Sequence, residues 1–445
     1  MLQSFALAAL LGASSALAAA AKCGVGNKCP QDTPCCSQYG ECGIGAYCLG
    51  GCDPLTSFSL ESCVPAPTCK DKTLKFGSLD NVKNIGEYLG DSDKADWVVS
   101  GEPVLNGGNT LLTMPKGSVG TVMSSTTYMW YGNVKARLKT SRGSGVVTAF
   151  ILFSDVKDEI DFEWIGTDLG TTQTNFYFQG ITNYQNSANT SVTDSFNNFH
   201  DYELRWTPDK IEWWIDGKLG RTKERKDTWN ATSQNWGFPQ TPSRVQLSLW
   251  PGGLETNPQG TIDWAGGKIN WDAEDIKKVG FFYAEVESVT IECYDGSNGI
   301  GTNKGKSYYY KDLRGTNDTV VDGDKDHIIA SLQATGLDMT KGKKDDTNTD
   351  KDKDKDKDTE DKQTIPGGST GSPGKDHSDE NNSTDTSSGD NSSSSGGNNN
   401  SNCADGDFCQ GTSTDSTTDS TKGGSAKSSA SALAIIIAGF ALYWL

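Results

Sequence analysis

The chain has 445 residues and a formal net charge of −18, from 58 acidic and 40 basic side chains. This surplus of negative charge argues against a nucleic-acid partner, whose phosphates would be repelled, whereas a neutral polymer remains a suitable substrate. Twelve cysteines with only three histidines indicate disulfides, and neither a metal site nor a cofactor is expected.

The first residues are typical of a secretory signal peptide. Phe5 to Leu17 is a run of apolar and small residues, and it ends in the small-x-small pattern Ala16-Leu17-Ala18, although it lacks a preceding Lys or Arg. We therefore predict a signal peptide over residues 1–19 and secretion of the rest.

Residues 20–66 hold eight of the cysteines and almost no aliphatic side chains, so disulfides must stabilise this segment. The spacing is Cys23-x5-Cys29-x5-Cys35-Cys36-x5-Cys42-x5-Cys48-x3-Cys52, with the core Cys36-Ser-Gln-Tyr-Gly-Glu-Cys-Gly43. This pattern resembles the hevein-type chitin-binding module, carbohydrate-binding module family 18. A disulfide knot that serves only as a stable cap is the alternative.

The hevein resemblance implies a shallow platform for N-acetylglucosamine made by Ser37, Tyr39 and Tyr47, whose rings can stack on a pyranose. It also implies the disulfides Cys23–Cys36, Cys29–Cys42 and Cys35–Cys48. Two further pairs, Cys52–Cys63 and Cys69–Cys293, are expected, although the sequence cannot fix this connectivity.

Residues 69–300 alternate apolar and polar side chains in short runs separated by turn residues. Examples are Val134–Thr140, Gly145–Phe153 and Lys210–Gly217, the last ending in an Asp-Gly turn. Few stretches show a helical period, so we predict an all-β sandwich here and a C-terminal extension over 301–340.

The segment Asp158–Trp164 concentrates acidic residues in a predicted strand. Because side chains alternate, Glu159, Asp161 and Glu163 share one face while the intervening residues point to the core. The two glutamate Cα atoms are about 13 Å apart, and side chains leaning together can reach the roughly 5.5 Å between carboxyls that a retaining glycosidase needs. An exposed acidic face or a calcium site are the alternatives, but a straight strand holds its oxygens too far apart for calcium.

Alternation also selects residues for the same cleft. Gln246, Ser248 and Trp250 share a face of their strand, and Thr261 with Asp263 is expected in a similar position after a loop. Trp250 and Trp264 are candidate sugar platforms, and Gln173 and Tyr177 are further candidates; core packing is the alternative for each Trp. His200 is interpreted as a packing or turn contact rather than a base.

Residues 75 to 300 resemble family 16 glycoside hydrolases, and within them the Crh group of fungal cell-wall transglycosylases. The motifs are Tyr131–Arg137, Asp158–Trp164, Phe199–Trp206, Val245–Gly252 and Gly260–Gly266. The resemblance implies a β-jelly roll in which Glu159 is the nucleophile, Asp161 the helper and Glu163 the acid/base.

By the same resemblance, the protein cleaves chitin and transfers the chain to β-1,3- or β-1,6-glucan in the cell wall, and we expect it to act as a monomer. Two alternatives stay open. One is an endo-β-glucanase of the same fold, and the other is a non-catalytic chitin-binding adhesin.

The remaining chain is predicted to be a spacer and an anchor signal. Residues 341–425 are rich in Ser, Thr, Asp and Lys and are expected to be a disordered stalk. Residues 426–445 end in an apolar tail that predicts a GPI anchor at Gly423 or Gly424, with a transmembrane helix as the alternative. The stalk also contains Cys403 and Cys409, which are close enough to pair. The predicted glycosylation sites are Asn189, Asn230, Asn317, Asn382 and Asn391.

Overall fold

Two eight-stranded sheets form the body of the protein in the computed structural model, which describes residues 20–296, 299–343 and 364–366. We call the first the carboxylate sheet, because it carries Glu159, Asp161 and Glu163. Across this sheet its strands are β14 (Ala188–Ser191), β13 (Thr171–Tyr177), β12 (Glu159–Ile165), β11 (Val146–Ser154), β20 (Ser243–Pro251), β9 (Thr121–Met129), β6 (Trp97–Ser100) and β5 (Val82–Asn84).

The second sheet, called the supporting sheet, packs against the first. Its strands are β17 (Lys218–Glu224), β16 (Lys210–Ile215), β15 (His200–Trp206), β10 (Gly132–Lys139), β21 (Phe281–Cys293), β8 (Asn109–Pro115) and β7 (Val104–Asn106), with β4 (Lys72–Lys75) also paired to β21. Among the described strands, pairing is antiparallel except between β5 and β6. The predicted all-β sandwich is confirmed.

Smaller elements complete the described part of the chain. The short strands are β1 (Cys35–Cys36), β2 (Cys42–Gly43), β3 (Ala66–Pro67), β18 (Trp229–Asn230), β19 (Asn235–Trp236), β22 (Ser307–Tyr310) and β23 (Val320–Gly323). The helices are α1 (Gln259–Trp264) and α2 (Glu274–Val279), with 3-10 turns at Gly45–Cys48, Leu60–Ser62, Tyr184–Asn186, Arg225–Thr228 and Asn317–Thr319. No helix of the described residues is long and apolar enough to cross a membrane.

The main core lies between the two sheets. Phe162 and Trp164 of β12 point into it, and the Trp164 ring meets that of Tyr202 from β15 edge-on, with centroids 4.5 Å apart. Burying one such aromatic side chain contributes about 3 kcal/mol. This packing fixes which face of β12 points inward, and therefore which face carries the carboxylates.

The cysteine-rich module, residues 20–66, contains four disulfides, and a fifth joins the beginning and the end of the body. The pairs are Cys23–Cys36, Cys29–Cys42, Cys35–Cys48, Cys52–Cys63 and Cys69–Cys293. These are the pairs that the sequence analysis gave. The predicted Cys403–Cys409 pair, the signal peptide and the anchor signal lie outside the described residues.

The module shares a second apolar cluster with the body and with the C-terminal extension. The cluster joins Tyr47 and Leu49 of the module to Tyr88 and Val98 of the body and to Ile329 of the extension. Backbone bonds from Gly45 to Ala334 and from Gly336 to Ser62, both 2.9 Å, reinforce it. The module is therefore packed into the body rather than attached by its chain ends alone.

Candidate active site

Three acidic side chains lie on one face of β12. Their partners on the neighbouring strand β11 are Phe153 for Glu159, Ile151 for Asp161 and Ala149 for Glu163. These three β11 residues form an apolar patch separate from the main core. The alternate residues Ile160, Phe162 and Trp164 belong to the main core. Strand alternation thus places the carboxylates together on the face away from the supporting sheet, as the sequence predicts.

The carboxylates crowd one another in a buried setting. Burial, with the charge of Glu163 adding to it, raises the pKa of Glu159 to about 8. Burial, together with the charge of Glu159, raises the pKa of Asp161 well above its ordinary range. Burial, together with the charge of Asp161, likewise raises the pKa of Glu163 well above its ordinary range. A carboxyl group whose pKa is raised in this way can keep a proton near neutral pH, which a general acid requires.

Two residues of the supporting sheet, which the sequence analysis missed, interact with β12 from the core side. The indole Nε1 of Trp213 on β16 donates to the backbone carbonyl of Asp161 at 2.9 Å. The Arg221 guanidinium lies over the Trp213 ring at 4.5 Å, and its positive charge opposes the rise in the pKa of Asp161. No local pattern points to either contact, because both residues belong to the other sheet.

Asp158, which precedes the nucleophile candidate, has a structural position. Its Oδ2 accepts hydrogen bonds from the backbone of Gln240 (2.9 Å) and from the backbone and hydroxyl of Thr241 (3.1 and 2.7 Å), and its Oδ1 accepts from Gln179 N at 3.0 Å. Burial raises the pKa of Asp158 to about 6, although these donors favour the ionised form. This carboxylate joins three chain segments beneath the site.

The neighbouring strand β13 places polar side chains beside each carboxylate. Tyr177, Asn175 and Gln173 pair with Glu159, Asp161 and Glu163, respectively. The Asn175 amide donates to the Tyr177 hydroxyl at 2.6 Å. The sequence analysis named Gln173 and Tyr177 but omitted Asn175, which strand alternation places on the same face between them.

On the other side of β11, strand β20 contributes Gln246, Ser248 and Trp250, which pair with Ile151, Ala149 and Val147. Paired residues share a face, so all three face the same way as the carboxylates, as predicted. Arg244, at the same face of β20, was not predicted. It pairs with Phe153, which in turn pairs with Glu159.

The tryptophan prediction needs a correction. Trp264 stacks on Trp250 with ring centroids 5.9 Å apart, and Trp250 is only 2% exposed, so its ring offers no open platform. Trp264 is partly exposed, and its Nε1 donates to Gln173 Oε1 at 2.9 Å, which links it to the row of Glu163. Trp264 is thus the better placed of the two rings for a sugar.

The expectation that Thr261 and Asp263 occupy equivalent positions is wrong. They lie in α1, where residues two apart do not share a face. Thr261 is buried, whereas Asp263 is exposed and accepts from Gln259 Nε2 at 2.7 Å.

The predicted platform of the cysteine-rich module is not exposed. Ser37, Tyr39 and Tyr47 are only 2%, 6% and 1% exposed. Tyr47 packs in the apolar cluster shared with Tyr88 and Val98 of the body. The expected open arrangement is therefore corrected: the module turns this face toward the body, where Tyr47 completes the shared cluster.

The remaining predicted residues are placed as follows. The His200 ring nitrogens contact Asp216 Oδ2 at 2.7 Å and the carbonyl of Thr193 at 2.9 Å, which fits a packing role. Of the predicted glycosylation sites, Asn189 and Asn230 are exposed, Asn317 is partly buried, and Asn382 and Asn391 lie outside the described residues.

Comparison with known proteins identifies the family. Crh-like protein 3 of Botryotinia fuckeliana is 60% identical over 330 residues, which cover 74% of each chain. The chain belongs to the Crh-like protein family. Another Crh-like relative, Crh-like protein 2 of Aspergillus fumigatus, is 49% identical over 380 residues, or 84% of this chain and 85% of that one.

The Crh-like assignment agrees with the fold and with the position of the carboxylates. The model of the glycosyl hydrolases family 16 matches residues 91–266, which include β12. A solved structure, apo Crh5 transglycosylase, aligns with a TM-score of 0.50 and 29% identity over 61% of this chain and 100% of that one. The predicted family is confirmed, and this Crh-like chain is a retaining glycosidase and transglycosylase of the cell wall.

Proposed function

We propose that this Crh-like enzyme cleaves chitin and transfers the released chain to β-1,3- or β-1,6-glucan, cross-linking the two polymers. The observation that carries the proposal is the row of three buried carboxyl groups on one face of β12, whose pKa values are raised by burial and by one another's charge. Retaining transfer needs one carboxylate as nucleophile and one carboxylic acid as proton donor.

In the first step, the Glu159 carboxylate attacks the anomeric carbon of the donor while the bond to the departing oxygen breaks. Glu163 gives that oxygen its proton, so a glycosyl ester and a shortened chain with a free hydroxyl are formed. In the second step, Glu163 takes the proton of an acceptor hydroxyl, the acceptor oxygen bonds to the anomeric carbon, and Glu159 leaves as a carboxylate. The linkage is replaced rather than hydrolysed.

Asp161 acts as the helper between the two glutamates. Its charge adds to the burial that raises the pKa of Glu163. Asp161 thereby favours the protonated form of the proton donor, as the mechanism needs. The Trp213 bond in turn holds the Asp161 backbone in place from the core side, and the charge of Arg221 favours the ionised form of Asp161.

The donor chain would bind along the carboxylate face across neighbouring strands. The groups placed for this role are Gln173, Tyr177, Gln246 and Trp264, with Thr261 and the Trp250 ring supporting them from buried positions. Chitin as the donor is supported by the chain's membership of the Crh-like family. A glucan acceptor is supported by the family 16 match.

We further infer that the protein is secreted, glycosylated, and attached to the plasma membrane and the cell wall through a GPI anchor. The apolar segment before Ala18, the terminal apolar tail and the Ser- and Thr-rich spacer support this inference. A monomer would suffice, since the three carboxylates come from one strand.

The deciding experiment incubates the purified protein with chitin oligomers as donor and a fluorescent β-glucan oligomer as acceptor, and sizes the products by mass spectrometry. We expect labelled hybrids that carry N-acetylglucosamine units, and none with Glu159→Gln. Shortened labelled glucan without hybrids would instead identify an endo-β-glucanase. The absence of any product, with chitin still bound, would favour a binding protein.

A further inference from the structure

The cysteine-rich module meets the carboxylate sheet through the side chain of Gln38. Its Oε1 accepts hydrogen bonds from Arg244 Nη2 at 2.9 Å and from Gln246 Nε2 at 3.2 Å. Gln38 lies between Ser37 and Tyr39, so it belongs to the face that the sequence analysis assigned to sugar binding. The module therefore contacts the cleft directly with that face.

This contact lies close to the carboxylates. Gln246 pairs with Ile151 of β11, and Ile151 pairs with Asp161 of β12. Two strand spacings separate Asp161 from Gln246, or about 10 Å. Gln38 thus reaches a position a short distance along the cleft from the bond to be broken.

Beyond Gln246, the same face of the sheet is covered by the module. Gln246 pairs with Ser124 of β9, and Ser124 pairs with Val98 of β6, so both share the carboxylate face. Ser124 and Val98 line a cavity of about 30 Å³ together with Tyr39 and Tyr47 of the module. This space admits water but not a pyranose ring, so a sugar chain on the sheet must end at Gln38.

The module is fixed in this position by polar contacts as well as by the shared apolar cluster. The Gly51 N–H lies 2.9 Å from Asp155 Oδ1 and 3.0 Å from the Tyr128 hydroxyl, and Lys157 Nζ lies 3.6 Å from Asp53 Oδ2. These contacts join the module to the end of β9 and to the turn that precedes Glu159. Swinging the module away would expose the cluster and break all of them together, so it behaves as part of the cleft wall.

Two features make this wall suitable for contact with a sugar. Gln38 is partly exposed, whereas its neighbours Ser37 and Tyr39 are buried. Arg244 is buried, and its Nε–H has no hydrogen-bond partner among the described residues. A hydrogen bond from a charged donor is strong, so the buried Arg244 holds the partly exposed Gln38 side chain in one position at the wall.

We propose that Gln38, held by Arg244 and Gln246, forms the end wall of the saccharide cleft and sets how many sugar units bind on that side of the carboxylates. In this arrangement the module determines donor length and does not act as a separate chitin anchor. The inference rests on the proposed function, because it concerns the donor of that reaction.

The test measures kcat/KM for chitin oligomers of increasing length with the full secreted protein and its Gln38→Ala variant. Removing the side chain opens the wall, so that longer donors gain contacts that the unmodified cleft denies them. We expect the ratio of kcat/KM between long and short donors to rise by about tenfold, which is the effect of one added hydrogen bond to the longer donor. Product lengths measured by mass spectrometry should shift in the same direction.

The matched control is Gln31→Ala, which removes the same side chain from an exposed position of the same module. It should leave the length preference unchanged. Gln246→Ala removes the other side of the contact and should shift the preference as Gln38→Ala does. If Gln38→Ala does not fold, Gln38→Asn replaces it, since the shorter amide also breaks both contacts.

The proposal is overturned if Gln38→Ala and Gln246→Ala change kcat/KM by one common factor at every donor length, as a purely structural role would. It is also overturned if their length preference matches that of Gln31→Ala. Failure of the proposed function is a different result, because the unmodified protein would then transfer no chitin oligomer of any length.

Discussion

The Trp213 indole donates a 2.9 Å hydrogen bond to the backbone carbonyl of Asp161, so a buried side chain of the supporting sheet holds the strand that carries the carboxylates. Trp213→Phe keeps an aromatic ring in the core but removes this donor. We predict a loss of about 2 kcal/mol in the free energy of unfolding and a lower kcat at nearly unchanged KM. Urea unfolding and the transfer assay measure the two effects.

Trp206→Phe is the control for this prediction. It removes a similar buried indole bond, from Trp206 Nε1 to the carbonyl of Pro239 at 3.1 Å, away from β12. It should cost similar stability with a smaller loss of kcat. Equal losses of kcat in the two variants would show that the Trp213 bond does not position Asp161.

Glu159 and Glu163 are distinguished by their response to the leaving group. Glu163→Gln should lower kcat/KM on chitin oligomers by about 10²- to 10⁴-fold, because the departing oxygen loses its proton donor. On an aryl glycoside the loss should be small, since a phenolate leaves without a proton. Glu159→Gln should be inactive on both donors, because no ester forms. The assignment fails if the two variants respond alike.

Asp161 sets the width of the pH profile. Its charge adds to the burial that raises the pKa of Glu163. Activity needs Glu159 ionised and Glu163 protonated, so it rises with pH through the lower apparent pKa and falls through the higher. Asp161→Asn removes that charge, so it should move the basic limb to lower pH and narrow the bell of kcat/KM against pH.

Asp168→Asn is the matched control for the pH profile, since it removes one charge from an exposed position after the same strand. Its two limbs should stay where they are in the unmodified enzyme. A profile of unchanged width in Asp161→Asn would remove the helper role.

The crowded carboxylates should also reduce stability at high pH. Burial raises the folded-state pKa of Glu159 to about 8, so the stability linked to its proton is complete below the ordinary glutamate pKa and is lost as pH rises through about 8. Glu159→Gln should therefore be more stable than the unmodified protein at pH 8 to 9, by roughly 5 °C in Tm, with the difference shrinking toward pH 4. Thermal scans across this range measure it, with the exposed Glu87→Gln as control. A difference independent of pH would contradict the prediction.

Asp158 is predicted to act through structure rather than chemistry. Asp158→Asn replaces an accepting oxygen with an amide NH2, which would face the N–H donors of Gln240, Thr241 and Gln179. Because some of these buried donors would lose their acceptor, we expect a loss of about 3 kcal/mol in the free energy of unfolding. Enzyme that remains folded should keep the leaving-group dependence of the unmodified protein. A stability change under about 0.5 kcal/mol would show that the network is dispensable.

Local geometry explains what the sequence predicted well. Which face of β12 carries Glu159, Asp161 and Glu163 depends only on strand alternation. That Gln173 and Tyr177 lie directly beside Glu163 and Glu159 depends on the pairing of β13 with β12, which the structure shows. Alternation failed at Thr261 and Asp263, because residues 259–264 form a helical turn and the period of two no longer applies.

The amino-acid sequence by itself determined the sheet-rich fold, the face of the carboxylates and the cysteine spacing of the module, since these follow from neighbours along the chain. Only the tertiary structure decided that Trp213 supports Asp161, that Tyr39 and Tyr47 are buried, and that Gln38 reaches Gln246 across 208 positions of sequence. Such contacts arise when distant segments bury apolar surface together, and no short pattern of residues records which segments will meet.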